Sequence, residues 1–545
     1  MSFFDSLIHI IWIILTFSWI RRRAAIRAVV KQLRRASKSA ETYEQWHNLQ
    51  AETDRLLGLD VWRRRNDSKH YDWLKISRQK REIERCQVNG DILNLCGMLR
   101  MHPVRNLYDI LSPRLYTKAH AGTKLLIEDY IRQVQCCVSD LAAISGTQAG
   151  FNSQTKMELF HDTSHAFGRS TLVLQGGSAF SMCHIGVVKA LHLRGLLPRI
   201  ITGIATGALV AALVGVHTND ELLEVLTGKA IDLSSFQRSR MRRRKLADDA
   251  PAGTKWLQAL RRRSARFLRT GHIFNIRVLE ECAQDNLGDI TFEEAFAKTG
   301  RILNVTVALP NEVGMPQLFN YITAPHVLIW SAVVASTATS KTLYAPVQLY
   351  CKNETGSTEP FVATDYQANT SKQRNHSSCG RAVLQEAPLK RIGELFNVNH
   401  FVVSQNRPYI APFVRAEQNY AGHSTIFNVL IRLFSGEVFH LLTQLNSLGW
   451  LPTTLCRLLM DETIPSNSRW AKISLTPDLT FRDLLALFDT PTEHLLDKWI
   501  MRGERSVWPA VPELRVRCGI EFELERAYES VRRRSPEQMG VDFGG

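Results

Sequence analysis

Two glycine-rich turns sit 27 residues apart, each between a short apolar run and a helix-like stretch. The first is Gln175-Gly176-Gly177-Ser178, which follows Thr171–Leu174. The second is Gly203-Ile204-Ala205-Thr206-Gly207, between Arg199–Thr202 and Ala208–Val216. Serine hydrolases use this layout: a tight Gly-x-x-x-Gly turn presents its central residue on a strained strand-to-helix elbow. The helix that follows lends positive potential to a developing oxyanion. Backbone N–H groups of Gly176, Gly177 and Ser178 would complete an oxyanion hole with those of the elbow. The central residue here is Ala205, and alanine has no nucleophilic atom. Thr206 lies one residue past the apex, so its hydroxyl is expected to point elsewhere. Thr206 as a substitute nucleophile is the minor alternative.

The elements that position these turns are short strands alternating with helices. Strands are predicted at Thr171–Leu174, Arg199–Thr202, Ile302–Ala308 and His400–Ser404, and a helix at Cys183–Leu193. That alternation predicts an α/β fold with a mostly parallel sheet. Residues 41–145 read as helical, with a turn at Asn89-Gly90 and a break at Pro103. Residues 236–270 read as a basic insertion, and 416–545 as a mainly helical C-terminal region. His184 lies on an apolar helix face and reads as a core residue.

The 545 residues carry a net charge of +16, and 45% are hydrophobic, enough for a large core. The charge is concentrated. Residues 1–40 contribute +7 and residues 236–270 contribute +10, which leaves −1 for the rest. Ten cysteines include no Cys-x-x-Cys pair, so a zinc ribbon is disfavoured and a reducing, cytosol-facing location is expected. No His-Glu-x-x-His, Walker or EF-hand motif is present. No metal or cofactor is therefore expected.

Phe3–Ile20 is an apolar stretch followed at once by Arg21, Arg22 and Arg23. As a helix it would span ~27 Å, near the lower limit for crossing a bilayer. Residues 1–20 are accordingly expected to be a membrane segment, with the arginines holding the rest on the cytosolic side. Residues 21–40 place Ile26, Val29, Val30 and Leu33 at helical spacing among basic residues, the pattern of an amphipathic helix on a headgroup surface. Arg242, Arg243 and Arg244 in the insertion are candidates for the same surface.

The stretch 172–215, LVLQGGSAFSMCHIGVVKALHLRGLLPRIITGIATGALVAALVG, resembles the patatin-like phospholipase family. It is most similar to the intracellular triacylglycerol-lipase branch. Further matches are LFNYITAPHVLIWSAVVAS (318–336), YAPVQLYCKNETG (344–356), PLKRIGELFNVNHFVVSQNRPYIAPFV (388–414) and RNLYDILSPRLYTKAHAGTKLLIEDYI (105–131). The resemblance implies a patatin-like domain over 165–415, a three-layer, mostly parallel α/β sheet with helical N- and C-terminal regions. It also implies a Ser–Asp dyad. Ala205 holds the serine's place, and the Asp-Gly turn expected before Pro388 is missing. The nearest acids are Glu386 and Asp365. Ser178 and Ser181 stand where the family usually has glycine.

The leading reading is a lipid-binding or regulatory member of a lipid hydrolase family. Its expected location is a cytosol-facing membrane, the endoplasmic reticulum or a lipid droplet, with acylglycerol or phospholipid as ligand. The alternatives are an active acyl-ester hydrolase using other residues, and a nucleic-acid-binding protein. Residues 236–270 hold only Phe236, Trp256 and Phe267 for base stacking, and 21–40 hold none, so nucleic acid is not expected. The full chain should sediment with anionic liposomes and be released as salt rises. Tighter binding to an oligonucleotide in the same buffer would reject the lipid-surface reading.

Overall fold

The computed structural model describes residues 23–101, 104–144, 151–176, 178–232, 276–307, 317–338, 347–361, 389–406, 471–478 and 493–532. It also describes isolated positions, namely 21, 234, 269, 345, 433, 437, 440, 441, 444, 445 and 483. The apolar segment 3–20 and all but one residue of the basic insertion lie outside the described residues. Among the described residues, no helix is long and apolar enough to cross a membrane.

The helices used below are α1 (Tyr43–Leu56), α2 (Trp73–Asn89), α3 (Ile92–Met101), α4 (Leu125–Ala143) and α5 (Ser153–Phe167). They continue with α6 (Cys183–Leu193), α7 (Gly207–Val216), α8 (Ile329–Thr337), α9 (Glu493–Val507) and α10 (Val511–Arg532). The strands are β1 (Arg169–Gln175), β2 (Ile200–Ile204), β3 (Ile302–Val307) and β4 (Gln317–Phe319). After them come β5 (Tyr350–Lys352), β6 (Thr358–Pro360), β7 (Val398–Gln405) and β8 (Ala471–Leu475).

The chain divides into two units, one running up to Phe167 and resuming at Trp508, the other between Gly168 and Val507. The first is helical. Ile127, Val138 and Leu141 of α4 meet Leu159 and Phe160 of α5 and Leu524 of α10 in one apolar core. The N- and C-terminal helices thus share a core, which helical periodicity alone does not reveal. Arg105 and Glu521 form a buried ion pair at 2.9 Å inside this unit. Residues 23–39 are helical, with Val30 and Ser37 buried and Arg27, Lys31, Arg34, Arg35 and Lys38 exposed.

Asp54 on α1 is fully buried. It accepts hydrogen bonds from the backbone N–H groups of His120 and Ala121 and from His120 Nδ1, at 2.9–3.0 Å. Burial by itself would raise its pKa. The His120 and Ala121 hydrogen bonds outweigh burial and hold the carboxyl below its usual value.

The second unit holds a six-stranded sheet in the order β4-β3-β2-β1-β7-β8. All neighbours are parallel except β3 and β4. Every residue of β3, and of β1 after Arg169, is buried, so both sheet faces are covered. Two strands depart from the expected pattern. The antiparallel edge β4 is only three residues long. Strand β8 lies in the stretch read as mainly helical, where a five-residue run is too short to show its period. Helices α6 and α9 cross in near-backbone contact. A Cβ on Gly186 would overlap the Ile500 carbonyl, and a Cβ on Gly503 would overlap the Cys183 carbonyl.

Gly503→Ala should lower stability by roughly 2–3 kcal/mol, since backbone must move to admit the methyl. Chemical denaturation of the full chain measures this. Asp54 contributes stability fully above its unfolded pKa of about 3.9, and that contribution is lost as pH falls through the lower folded pKa. Asp54→Asn should therefore destabilise the protein near neutral pH and flatten the acid limb of its pH–stability curve.

Candidate functional site

Parallel register brings the carboxyl ends of three strands level. Gln175 of β1 is opposite Ile204 of β2 on one side and Gln405 of β7 on the other. The residues that follow, Gly176, Ala205 and Asn406, therefore emerge at one edge of the sheet. Open parallel sheets bind ligands outside the carboxyl ends of their strands, where connections diverge to either side. β1 is such a point, because the chain goes to β2 on one flank and returns at β7 on the other.

The second glycine-rich turn is an elbow. β2 ends at Ile204 and α7 begins at Gly207. Ala205 between them has φ +54°, a left-handed conformation that costs a non-glycine L-residue about 1–2 kcal/mol. Packing enforces the turn. A Cβ on Gly203 would overlap Ala208, and one on Gly207 would overlap the Leu174 carbonyl. Both glycines are thus needed for the chain to pass, whatever stands at the apex.

Helix α8 braces the elbow from a distant part of the sequence. The Ala205 N–H donates to Ser336 Oγ at 3.0 Å, and Thr337 Oγ1 donates to the Ala205 carbonyl at 3.4 Å. The Ala208 N–H also donates to that carbonyl at 3.0 Å. Ser336 is 1% exposed, which makes it a support and not a nucleophile open to a substrate. Sequence reading missed Ser336 and Thr337; their only signal is two hydroxyls ending the apolar helix at Ala332-Val333-Val334-Ala335.

The first glycine-rich turn is tied to the second. Gly176 has φ +58°, and its N–H donates to the Ile204 carbonyl at 3.1 Å. The Gly176 carbonyl lies 3.1 Å from His184 Nε2, whose Nδ1 lies 2.8 Å from Ser404 Oγ. His184 and Ser404 are both fully buried. With Nε2–H donating to the carbonyl, Nδ1 accepts from the Ser404 hydroxyl, and neither ring nitrogen is left to act as a base. His184 is therefore a packing and bracing residue, as its apolar helix face suggested. Asn406 Nδ2 donates to the Phe180 carbonyl at 3.1 Å, and the Phe180 ring meets Trp499 edge-on at 4.9 Å. Nearby Cys183 is fully buried, and burial pushes its thiol well up, so it offers no thiolate.

The remaining expected site residues fall as follows. Ser178 opens a 3-10 turn, Ser178–Met182, and Thr206 is the N-cap residue of α7 with φ −64°. Gly177, Asp365, Glu386, Arg22, Arg242, Arg243 and Arg244 lie outside the described residues. Arg21 and Arg23 are exposed. The structure thus brings Gly176, Gly203, Ala205, Thr206 and Gly207 together at one sheet edge.

Comparison with known proteins agrees with this architecture. Residues 172–361 match the family model described as patatin-like phospholipase, and residues 23–165 match a domain of unknown function, DUF3336. The chain is 34% identical over 507 residues to triacylglycerol lipase ptl1 of Schizosaccharomyces pombe, covering 93% of this chain and 86% of that protein. It is 31% identical to triacylglycerol lipase ptl3 of the same yeast, covering 91% and 97% respectively. It is 28% identical to triacylglycerol lipase 5 of Saccharomyces cerevisiae, covering 94% and 67%.

Relief of the left-handed alanine should be measurable. Ala205→Gly is expected to stabilise the unit by about 0.5–1 kcal/mol, after the entropy that glycine adds to the unfolded chain. Gly207→Ala should destabilise it. The shift in denaturant midpoint reads both changes.

Proposed function

The chain belongs to the patatin-like phospholipase family, in its triacylglycerol-lipase branch, and we propose that it binds acyl-ester lipid without hydrolysing it by the Ser–Asp route. One observation carries this reading: the elbow keeps its strained backbone and its braces, yet its apex is a methyl group. An ester carbonyl can still be polarised beside the N-terminus of α7. No attack follows, because Ala205 supplies no oxygen to form an acyl-enzyme. The absence of an Asp-Gly turn between 378 and 387 supports the same reading, since it removes the base that would activate a serine.

The ligand would be a neutral acylglycerol or a phospholipid, met at the cytosolic surface of the endoplasmic reticulum or a lipid droplet. The exposed basic residues of helix 23–39 supply charge for an anionic headgroup layer. A member of this kind would act on lipid metabolism by holding substrate or by engaging an active relative.

The purified full chain, given tri- and diacylglycerol or phospholipid, should release fatty acid no faster than a mock preparation. Ala205→Ser alone should recover little activity, because catalytic groups that act as a unit fail together. Robust turnover by the wild type would reject the proposal.

A further inference from the structure

Helix α2 of the helical unit turns Ile76, Gln79 and Ile83 into the core. Opposite them stands a row of five exposed side chains, Leu74, Arg78, Arg81, Arg85 and Val88. At about 100° per residue, all five lie within about 40° of one line along the helix. The row is about 21 Å long, and the three arginines occupy about 10 Å in its middle. Both ends of α2 are fixed. The Asp72 side chain accepts from the Lys75 N–H at 3.2 Å, and Gly90 closes the helix with φ +67°.

The arginines are not used inside the fold. Lys75 pairs with Asp72 at 3.0 Å, and Lys80 lies 3.5 Å from Glu84 and 3.9 Å from Asp129 of α4. Gln87 donates to Asp140 of α4 at 2.7 Å. The nearby carboxylates are thus engaged with other groups. Among the described residues, Arg78, Arg81 and Arg85 make no hydrogen bond or ion pair. Arg78 lies three residues before Arg81 and Arg85 four after it, and like charges at these spacings repel. A face turned from the core is ordinarily solvated and mixed in sign. This row instead holds one sign in its middle and an aliphatic side chain at each end, with Leu74 61% and Val88 88% exposed.

The groups around the row select its occupant. Three guanidinium forks call for carboxylates or phosphates, which they grip through paired hydrogen bonds. Glu82 lies about 80° to one side of the row and Glu84 about 80° to the other, both open to solvent. A flat anionic layer pressed on the row would meet both acids within a screening length. A helix packs along a narrower strip and passes between them. A second copy offering the same face would set arginine against arginine.

We infer that this face of α2 docks an acidic helix of a partner protein. That helix presents carboxylates three and four residues apart to the arginines, aliphatic side chains to Leu74 and Val88, and basic side chains to Glu82 and Glu84. Flanking charges of this kind choose partner and orientation along the edges of coiled coils. Exposed ion pairs contribute little singly, so the row acts as a set. The face belongs to the helical unit and serves whether or not the elbow hydrolyses ester.

Fluorescence anisotropy of a labelled, alanine-rich helical peptide with the full chain tests this. The matched peptide carries leucine, three glutamates and leucine at the spacing of Leu74, Arg78, Arg81, Arg85 and Val88, with lysines on its flanks. A control peptide has the same composition, with its glutamates spread around the helix. The matched peptide should bind at least about tenfold more tightly than the control. Arg78→Gln, Arg81→Gln and Arg85→Gln combined should abolish that preference and leave the thermal midpoint of the peptide-free chain unchanged or higher. Equal binding of the two peptides would overturn the inference, as would a preference kept by the triple variant, or a lowered midpoint. Vesicles of phosphatidylcholine and phosphatidylserine provide the second arm. The triple variant should sediment with them as the wild type does. Loss of most vesicle binding in that variant would assign the face to a lipid surface and overturn the inference. Fatty-acid release by the wild type would reject the elbow proposal and leave the peptide ratio untouched, so the two failures are distinguishable.

Discussion

The passage of β2 into α7 is the constraint on which the site depends. The backbone turns through a space too small for a side chain at Gly203 or Gly207, and the turn forces Ala205 into a left-handed conformation. The turn is held from outside by Ser336 and Thr337 and is joined to the first glycine turn through Gly176 and Ile204. His184 and Ser404 fix that first turn from below. Close packing and hydrogen bonding therefore maintain this geometry independently of any catalytic group. The flanking glycines are explained by sterics alone and are not a signature of activity.

The same independence underlies the proposal that this hydrolase architecture has outlasted its chemistry. Exchanging serine for alanine removes one oxygen and leaves the helix dipole, the bracing hydroxyls and the buried histidine in place. In the proposed reading such a site still orients an ester. The helical unit adds a second element, a core shared by the first and last parts of the chain around the Arg105–Glu521 pair.

Much of the sheet was legible in the sequence because its central strands are short apolar runs ending in glycine turns. Thr171–Leu174 became the middle of Arg169–Gln175, and Arg199–Thr202 became Ile200–Ile204. The elbow, with Ala205 at its apex, was legible for the same reason. Contacts between distant residues were not. Ser336 lies 131 positions from Ala205, and Asp54 lies 66 from His120, so no local spacing links them. Strand β8 was hidden by its length. The shared core of α4, α5 and α10 was hidden because helical periodicity shows that a face is buried but not which face it meets. Apart from residue 269, the basic segment 236–270, visible as charge, lies outside the described residues.

The central claim is that the apex of this elbow carries no nucleophile and that no other residue replaces it. Intact-mass measurement after incubation with a fluorophosphonate probe tests that claim directly, because the probe adds a fixed mass to any activated hydroxyl. The account predicts that the full chain keeps its unmodified mass. A stoichiometric adduct that maps to a serine or threonine near the elbow would contradict it.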